Sequence, residues 1–182
     1  KAKQVGAVLI IDEAYHYYYP NTFLPLALEN DNVIILRTFS KAFSIPALRL
    51  GVIISNPKII HYINNAKMTF DVNSIALLFG ERLLDHPAIL NEIVESESQG
   101  KSYTLNELSK KGYVCRDCKG NYIFVKPKHE ARKVANRLAT EKKVLVHPYR
   151  NDLLKDYLRV SVGSVESMKI FLNAFFEIDL ND

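Results

Sequence analysis

Three short polar stretches of this sequence hold residue types that can work on a carbonyl and a phosphate: Asp12-Glu13-Ala14-Tyr15, Ser40-Lys41 and Arg49. Two of them follow apolar runs, Val5 to Ile11 and Val33 to Leu36, and Arg49 precedes a third, Leu50 to Ile54. Short continuous apolar runs predict strands buried on both faces of a sheet. In open α/β sheets, ligands bind at the carboxyl ends of the strands. A carboxylate, an amine and a guanidinium gathered there are the parts needed for a phosphorylated aldehyde cofactor. The amine forms a Schiff base, the carboxylate keeps a ring nitrogen protonated, and the guanidinium grips phosphate as a fork. Singly, each signal is weak. An Asp at a strand end is more often a turn residue, a lone Lys is mostly solvated surface, and an Arg is often half of a surface ion pair worth under about 1 kcal/mol. The specificity lies in their combination and order.

The elements that must position these groups read as follows. Pro57 opens a helix from Lys58 to about Met68, with proline in its first turn. Asn73 or Ser74 caps a second helix to about Leu84. Asp85-His86-Pro87 marks a break of the helix-capping kind, and a polar helix follows to about Lys111. Its apolar positions are sparse in the middle, where Gly100 sits, so it reads as a connector with a wet centre. Beyond Gly112 short strands are expected at Tyr113–Cys115, Tyr122–Val125, Val144–Val146 and Tyr157–Val162. They are interleaved with an amphipathic helix over Glu130–Glu141 and a final helix capped by Ser164, whose Met168, Phe171, Leu172, Phe175 and Phe176 recur at helical spacing. The fold class is α/β. Residues 1–86 form the later part of a large domain with a mixed, mostly parallel sheet, 87–111 the connecting helix, and 112–182 a small α+β domain.

Composition narrows the function classes. Of 182 residues, 48% are apolar and 24% charged, which excludes long disorder. The longest unbroken apolar run, Ala7 to Ile11, is far too short to span a membrane. A net charge of +4 with scattered Lys and Arg gives no nucleic-acid footprint. Cys115 and Cys118 form a C-x-x-C without a second pair, so two reduced thiols near a turn are expected rather than a metal site. The polar start followed at once by a buried strand points to the later part of a longer chain.

Ile11-Asp12-Glu13-Ala14-Tyr15, followed by Arg37-Thr38-Phe39-Ser40-Lys41-Ala42-Phe43-Ser44-Ile45-Pro46-Ala47-Leu48-Arg49-Leu50-Gly51, resembles the fold-type I pyridoxal-phosphate enzymes, above all the histidinol-phosphate aminotransferases. Tyr157-Leu158-Arg159-Val160-Ser161-Val162-Gly163 is similar to that family's C-terminal Leu-Arg-x-x-x-Gly segment. The resemblance covers nearly all of this chain but only the later half of the usual enzyme. It implies pyridoxal 5'-phosphate as cofactor and an amino group passed between an amino acid or amino phosphate and a 2-oxo acid. It also implies a cytoplasmic homodimer with its site at the subunit interface, and no part for nucleic acid or membrane. Carried onto this sequence, Lys41 is the Schiff-base lysine and proton shuttle. Asp12 pairs with the pyridine nitrogen and Tyr15 bonds the phenolic oxygen. Ser40 and Arg49 bind the phosphate with Thr38, and Arg159 binds the substrate's anionic group. Asn121 and His147 lie on the substrate side.

Two departures from the pattern bear on this reading. Ser44 and Ala47 stand where the family often has glycine, and His147 stands where histidinol-phosphate enzymes usually show an arginine. An imidazole lacks the fork of a guanidinium, so a substrate whose anion needs only Arg159, or also Arg150, is expected. The family's earlier half brings an aromatic ring and backbone amides for the cofactor, so this stretch by itself is expected to be inactive. The rival readings are a truncated, non-catalytic dimerisation module and a related decarboxylase or acyltransferase. Tyr17, Tyr18 and Tyr19 read as a loop packed on a subunit or domain surface, and the Lys and Arg residues between 126 and 143 as a solvated helix face.

Overall fold

A computed structural model describes residues 1–180. The chain divides into two compact units, Lys1–Asn91 and Glu92–Asp182.

In the first unit, β1 (Leu9–Asp12) leads through a single 3₁₀ turn, His16–Tyr18, to a short helix α1 (Leu24–Glu29). Then come β2 (Val33–Thr38), β3 (Gly51–Ser55), α2 (Pro57–Ala66) and α3 (Ser74–Asp85). The sheet order is β1-β2-β3, and the sheet is mixed. β1 runs parallel to β2 with Asp12 opposite Leu36, and β3 runs antiparallel to β2 with Gly51 opposite Thr38. The carboxyl ends of β1 and β2 and the amino end of β3 therefore share one edge of the sheet.

Pro57 opens α2 and Asn73 caps α3 as expected, Asn73 accepting from Ala76 at 2.8 Å. A cap not expected from sequence is Asn56, whose side chain accepts from the Lys58 and Ile59 amides at 3.0 and 3.1 Å. Ala27, Val33 and Ile35 are buried beside Ile11, Leu24 and Ile54. Phe39 and Phe43 stack with centroids 4.4 Å apart, and Tyr17 meets Phe43 edge-on within the same unit.

One expectation fails here. The apolar run from Val5 does not form a strand buried on both faces. Pairing starts at Leu9, and Val8, Leu9 and Ile10 are 54%, 39% and 60% exposed. Of β1 only Ile11 packs on the apolar cluster of this unit, so nothing among the described residues covers the other side chains; the third run is likewise open, Val52 and Ile53 being 40% and 45% exposed.

Helix α4 (Pro87–Lys110) passes through the division between the units. The second unit then holds β4 (Val114–Asp117), β5 (Tyr122–Lys126), α5 (Ala131–Lys142), β6 (His147–Pro148), β7 (Leu158–Ser161) and α6 (Val165–Leu180). Its sheet has the order β4-β5-β7-β6 and is antiparallel throughout. The core joins Leu108, Ile123, Val125, Leu138, Leu158, Phe171, Phe175 and Ile178. The apolar spacing of the last helix is thus its buried face. Asp179, fully buried on α6, accepts from the Lys128 and His129 amides at 2.8 and 3.1 Å and ties the start of α5 to that helix.

Two further expectations change. Val144–Val146 does not pair as a strand. The chain leaves α5 through Lys143 in the left-handed region (φ 57°), with the Val144 amide donating to Leu138 O at 3.0 Å, so pairing begins only at His147. The middle of α4 is also drier than its composition indicates. Gly100 and Thr104 are buried, and Thr104 Oγ1 donates to Gly100 O at 2.7 Å. A Cβ on Gly100 would lie 1.9 Å from the carbonyl oxygen of Gly163. Glycine is what lets α4 approach that backbone. Among the described residues, no helix is long and apolar enough to cross a membrane.

Candidate active site

In the first unit the polar groups singled out from sequence converge on the shared sheet edge. Asp12 ends β1, and its Oδ1 accepts from the Ala14 amide at 2.9 Å, which starts the turn that carries Tyr15 away from the strand. Thr38 ends β2. Its hydroxyl accepts from the Ser40 amide at 3.0 Å and donates to Leu50 O at 3.4 Å, so it fixes the chain on which Ser40 and Lys41 sit. The Lys41 carbonyl accepts from the Ser44 amide at 2.8 Å and closes the next turn. Lys41 Nζ lies 5.6 Å from the Tyr15 ring centroid, so the amine of one strand end faces the phenol of the other. Arg49 lies two residues before β3, and its Nη1 donates to Pro46 O at 2.8 Å.

Ser44 and Arg49 both adopt left-handed backbone, φ 57° and 53°. Such a conformation favours glycine, which gives a physical reason for the glycine that the resembling family often places at Ser44. At Ala47 no positive φ occurs.

This donor set fits the phosphorylated cofactor in kind. It offers a carboxylate, a phenol and an amine around one edge, with hydroxyls and a guanidinium beside them on the turns.

In the second unit His147 and Arg159 are direct cross-strand partners. With Leu145, Val146 and Ser161 they line an open cavity of about 370 Å³. The Arg159 guanidinium lies 4.2 Å from the centroid of the Tyr122 ring, and the His147 ring stands edge-on to Tyr149 at 4.8 Å. Asn121 precedes Tyr122, and its carbonyl accepts from the Val162 amide at 2.9 Å. Arg150 lies apart from that cavity, in a separate cleft with Glu130, Arg132, Tyr149, Lys155 and Asp156. Cys115 and Cys118 are free thiols, and burial pushes the Cys115 pKa up to about 11.

Two features escaped the sequence reading. Glu13 is buried, and its carboxylate accepts from Arg37, Thr22 and the Phe23 amide. Burial alone would raise its pKa. The Phe23 N–H, the Arg37 guanidinium and the Thr22 hydroxyl together outweigh that and hold the carboxyl below its ordinary value. The only signal was an acid and a base at two strand ends, 24 positions apart. The second feature is Lys101 on α4. Its ammonium donates to the Cys118 carbonyl and to Gly120 O at 3.0 Å, pairs with Asp117, and so pins the turn before Asn121.

Residues 1–175 match the model of the family "Aminotransferase class I and II", and the chain belongs to that family. It is similar to histidinol-phosphate aminotransferase 1 of Nostoc, at 28% identity over 177 residues that cover 97% of this chain and 50% of that protein. Among solved structures, histidinol-phosphate aminotransferase of Sinorhizobium meliloti in complex with pyridoxal-5'-phosphate matches with a TM-score of 0.88 at 20% identity, covering 96% of this chain and 49% of that one. L-threonine-O-3-phosphate decarboxylase of Porphyromonas gingivalis matches at 0.79 and 18%, covering 95% and 55%. The chain spans about half the length of the curated relatives it matches. The structural likenesses bear on the fold alone.

Proposed function

We propose that the protein carrying this chain is a pyridoxal-phosphate-dependent aminotransferase of the histidinol-phosphate aminotransferase-like kind. It moves an amino group between a 2-oxo acid and an amino acid or amino phosphate. The observation that carries this is Lys41, held by the Thr38–Ser40 turn at the end of β2, with its amine over the Tyr15 ring, while Asp12 ends the neighbouring parallel strand.

When bound, the cofactor supplies an electrophilic aldehyde carbon and a ring that takes up negative charge from the substrate's Cα. Lys41 would supply the amine for that carbon and would move the proton at the substrate's Cα. Asp12 would hold a proton on the ring nitrogen, and Tyr15 would donate to the phenolic oxygen. Ser40, Thr38 and Arg49 would hold the phosphate. Arg159, with His147 and Asn121 on the substrate side, takes the anionic group of the amino donor. The resemblance also carries a cytoplasmic location and a homodimer with its site at the subunit interface; sedimentation of the full protein tests the dimer.

Borohydride reduction of the full protein with cofactor, followed by peptide mapping, is expected to label Lys41. A label on another lysine overturns the assignment. A second reading, decarboxylation, draws on the likeness to the threonine-phosphate decarboxylase. Release of carbon dioxide without amino transfer to a 2-oxo acid would favour it.

A further inference from the structure

The Glu13 carboxylate has its hydrogen-bonding capacity filled by the protein itself. Oε2 accepts from Arg37 Nε at 3.1 Å and Nη2 at 2.9 Å. Oε1 accepts from the Phe23 amide at 2.7 Å, and the Thr22 hydroxyl lies 2.9 Å from both oxygens. Its side chain is 6% exposed, and that of Arg37 is 16% exposed. A carboxylate offers about four lone-pair sites, so none is left for a ligand. Glu13 cannot act on a substrate directly.

Its position shows what it can do. It follows Asp12 at once and comes two residues before Tyr15, and its own amide donates to Leu36 O at 2.8 Å, one step beyond β1. Arg37 stands in β2, three residues before Ser40 and four before Lys41. Two N–H groups of one guanidinium on a single carboxylate oxygen fix direction as well as distance. The other oxygen holds the segment that enters α1, so the strand end cannot swing away from β2.

We propose that Glu13 is a positioning residue. Through Arg37 it sets the spacing between the strand end that carries Asp12 and Tyr15 and the one that carries Ser40 and Lys41. This rests on the aminotransferase reading, because the spacing matters only if those two ends hold one cofactor between them. The depressed carboxyl pKa fits a carboxylate kept charged for this purpose.

The test uses the full protein with Glu13→Gln, which keeps the shape and loses the charge. The readouts are amide hydrogen exchange without cofactor and equilibrium affinity for pyridoxal phosphate. Exchange is expected to rise together in residues 12–15 and 38–41. Cofactor affinity is expected to fall by about 10–100-fold, by analogy with removing the hydrogen-bond partner that orients a metal ligand. Asn73→Ala removes the cap of α3 and none of the bonds around Glu13, so it should raise exchange near residues 74–77 and leave 38–41 and cofactor affinity close to the parent's. If Glu13→Gln does not fold, Arg37→Lys keeps the charge without the fork and should give the same pattern in weaker form. Unchanged exchange at 38–41, or parent-like cofactor affinity, overturns the proposal. So does a loss of affinity in Asn73→Ala equal to that in Glu13→Gln, because general loosening would then explain both. A parent protein that does not bind pyridoxal phosphate overturns the aminotransferase reading, and the exchange data then show separately whether Glu13 couples the two strand ends.

Discussion

Replacing Asp12 by Asn keeps the outline of the side chain and removes its charge. If Asp12 holds the proton on the cofactor ring, Asp12→Asn retains cofactor but loses turnover by more than about a hundredfold. Each 1.36 kcal/mol of barrier is about tenfold in rate, so a hundredfold loss corresponds to about 2.7 kcal/mol. Single-turnover kinetics with bound cofactor check this, and near-normal rates refute the role. Acid stability is a second residue-scale matter. His16 is pushed below its ordinary 6.5 by burial and by Arg37, against the pull of Glu13. An unfolded chain therefore takes up that proton before the folded one does, and stability falls as pH drops below 6.5. Glu13 acts lower down. Its stabilisation is complete above the unfolded value near 4.5 and is lost as pH falls through its lower folded value. Melting temperatures of the full protein against pH should show both stages. His16→Gln should flatten the first and Glu13→Gln the second, and an unchanged profile in either variant refutes its share.

Helix α4 and the backbone ahead of α6 depend on a missing side chain. Gly100→Ala gains helix propensity of about 1 kcal/mol but drives a Cβ to within 1.9 Å of the Gly163 carbonyl oxygen. Backbone must move, and overpacking of this kind costs about 1–3 kcal/mol. A net destabilisation is expected in thermal unfolding, and a stabilised Gly100→Ala would show that the two backbones have room to part. Gly100 also marks how far sequence reaches at this scale. The helices α2 and α3 were legible because Pro57 and Asn73 at their starts are local chemistry, and α5 and α6 because a buried stripe repeats. The short α1 was not legible, because it has only 6 residues and no side-chain cap. The absent strand at Val144–Val146 was not legible either, since apolar residues, two of them β-branched, follow a left-handed Lys143 that redirects them. The same contrast holds at the site. Asp12, Ser40, Lys41 and Arg49 lie in short contiguous motifs, whereas the Glu13–Arg37 pair and the Lys101 clamp join residues brought together only by folding.

At the scale of the whole protein, this 182-residue chain should not turn over substrate alone and should bind pyridoxal phosphate weakly, because the curated relatives are about twice as long. Titration followed by absorbance checks this, and tight binding with turnover would refute it. Substrate choice belongs to this scale too. Arg159→Ala in the full protein should lower kcat/KM for an anionic amino donor by about 2–4 kcal/mol, the range for stranding a paired charge. A donor without the anion should be affected far less, and equal losses for both would make Arg159 structural. The ring of Tyr122 beneath the Arg159 guanidinium gives that selectivity a shape as well as a sign. With the phenol ring 4.2 Å from the cation, an incoming anion is met on the cation's free sides, where N–H bonds point. A planar carboxylate can lie in the guanidinium plane with both oxygens engaged. Arg159 would then read the tilt of a bound acid group, and a lysine at the same place, round and without a plane, would leave that group free to rotate about the contact.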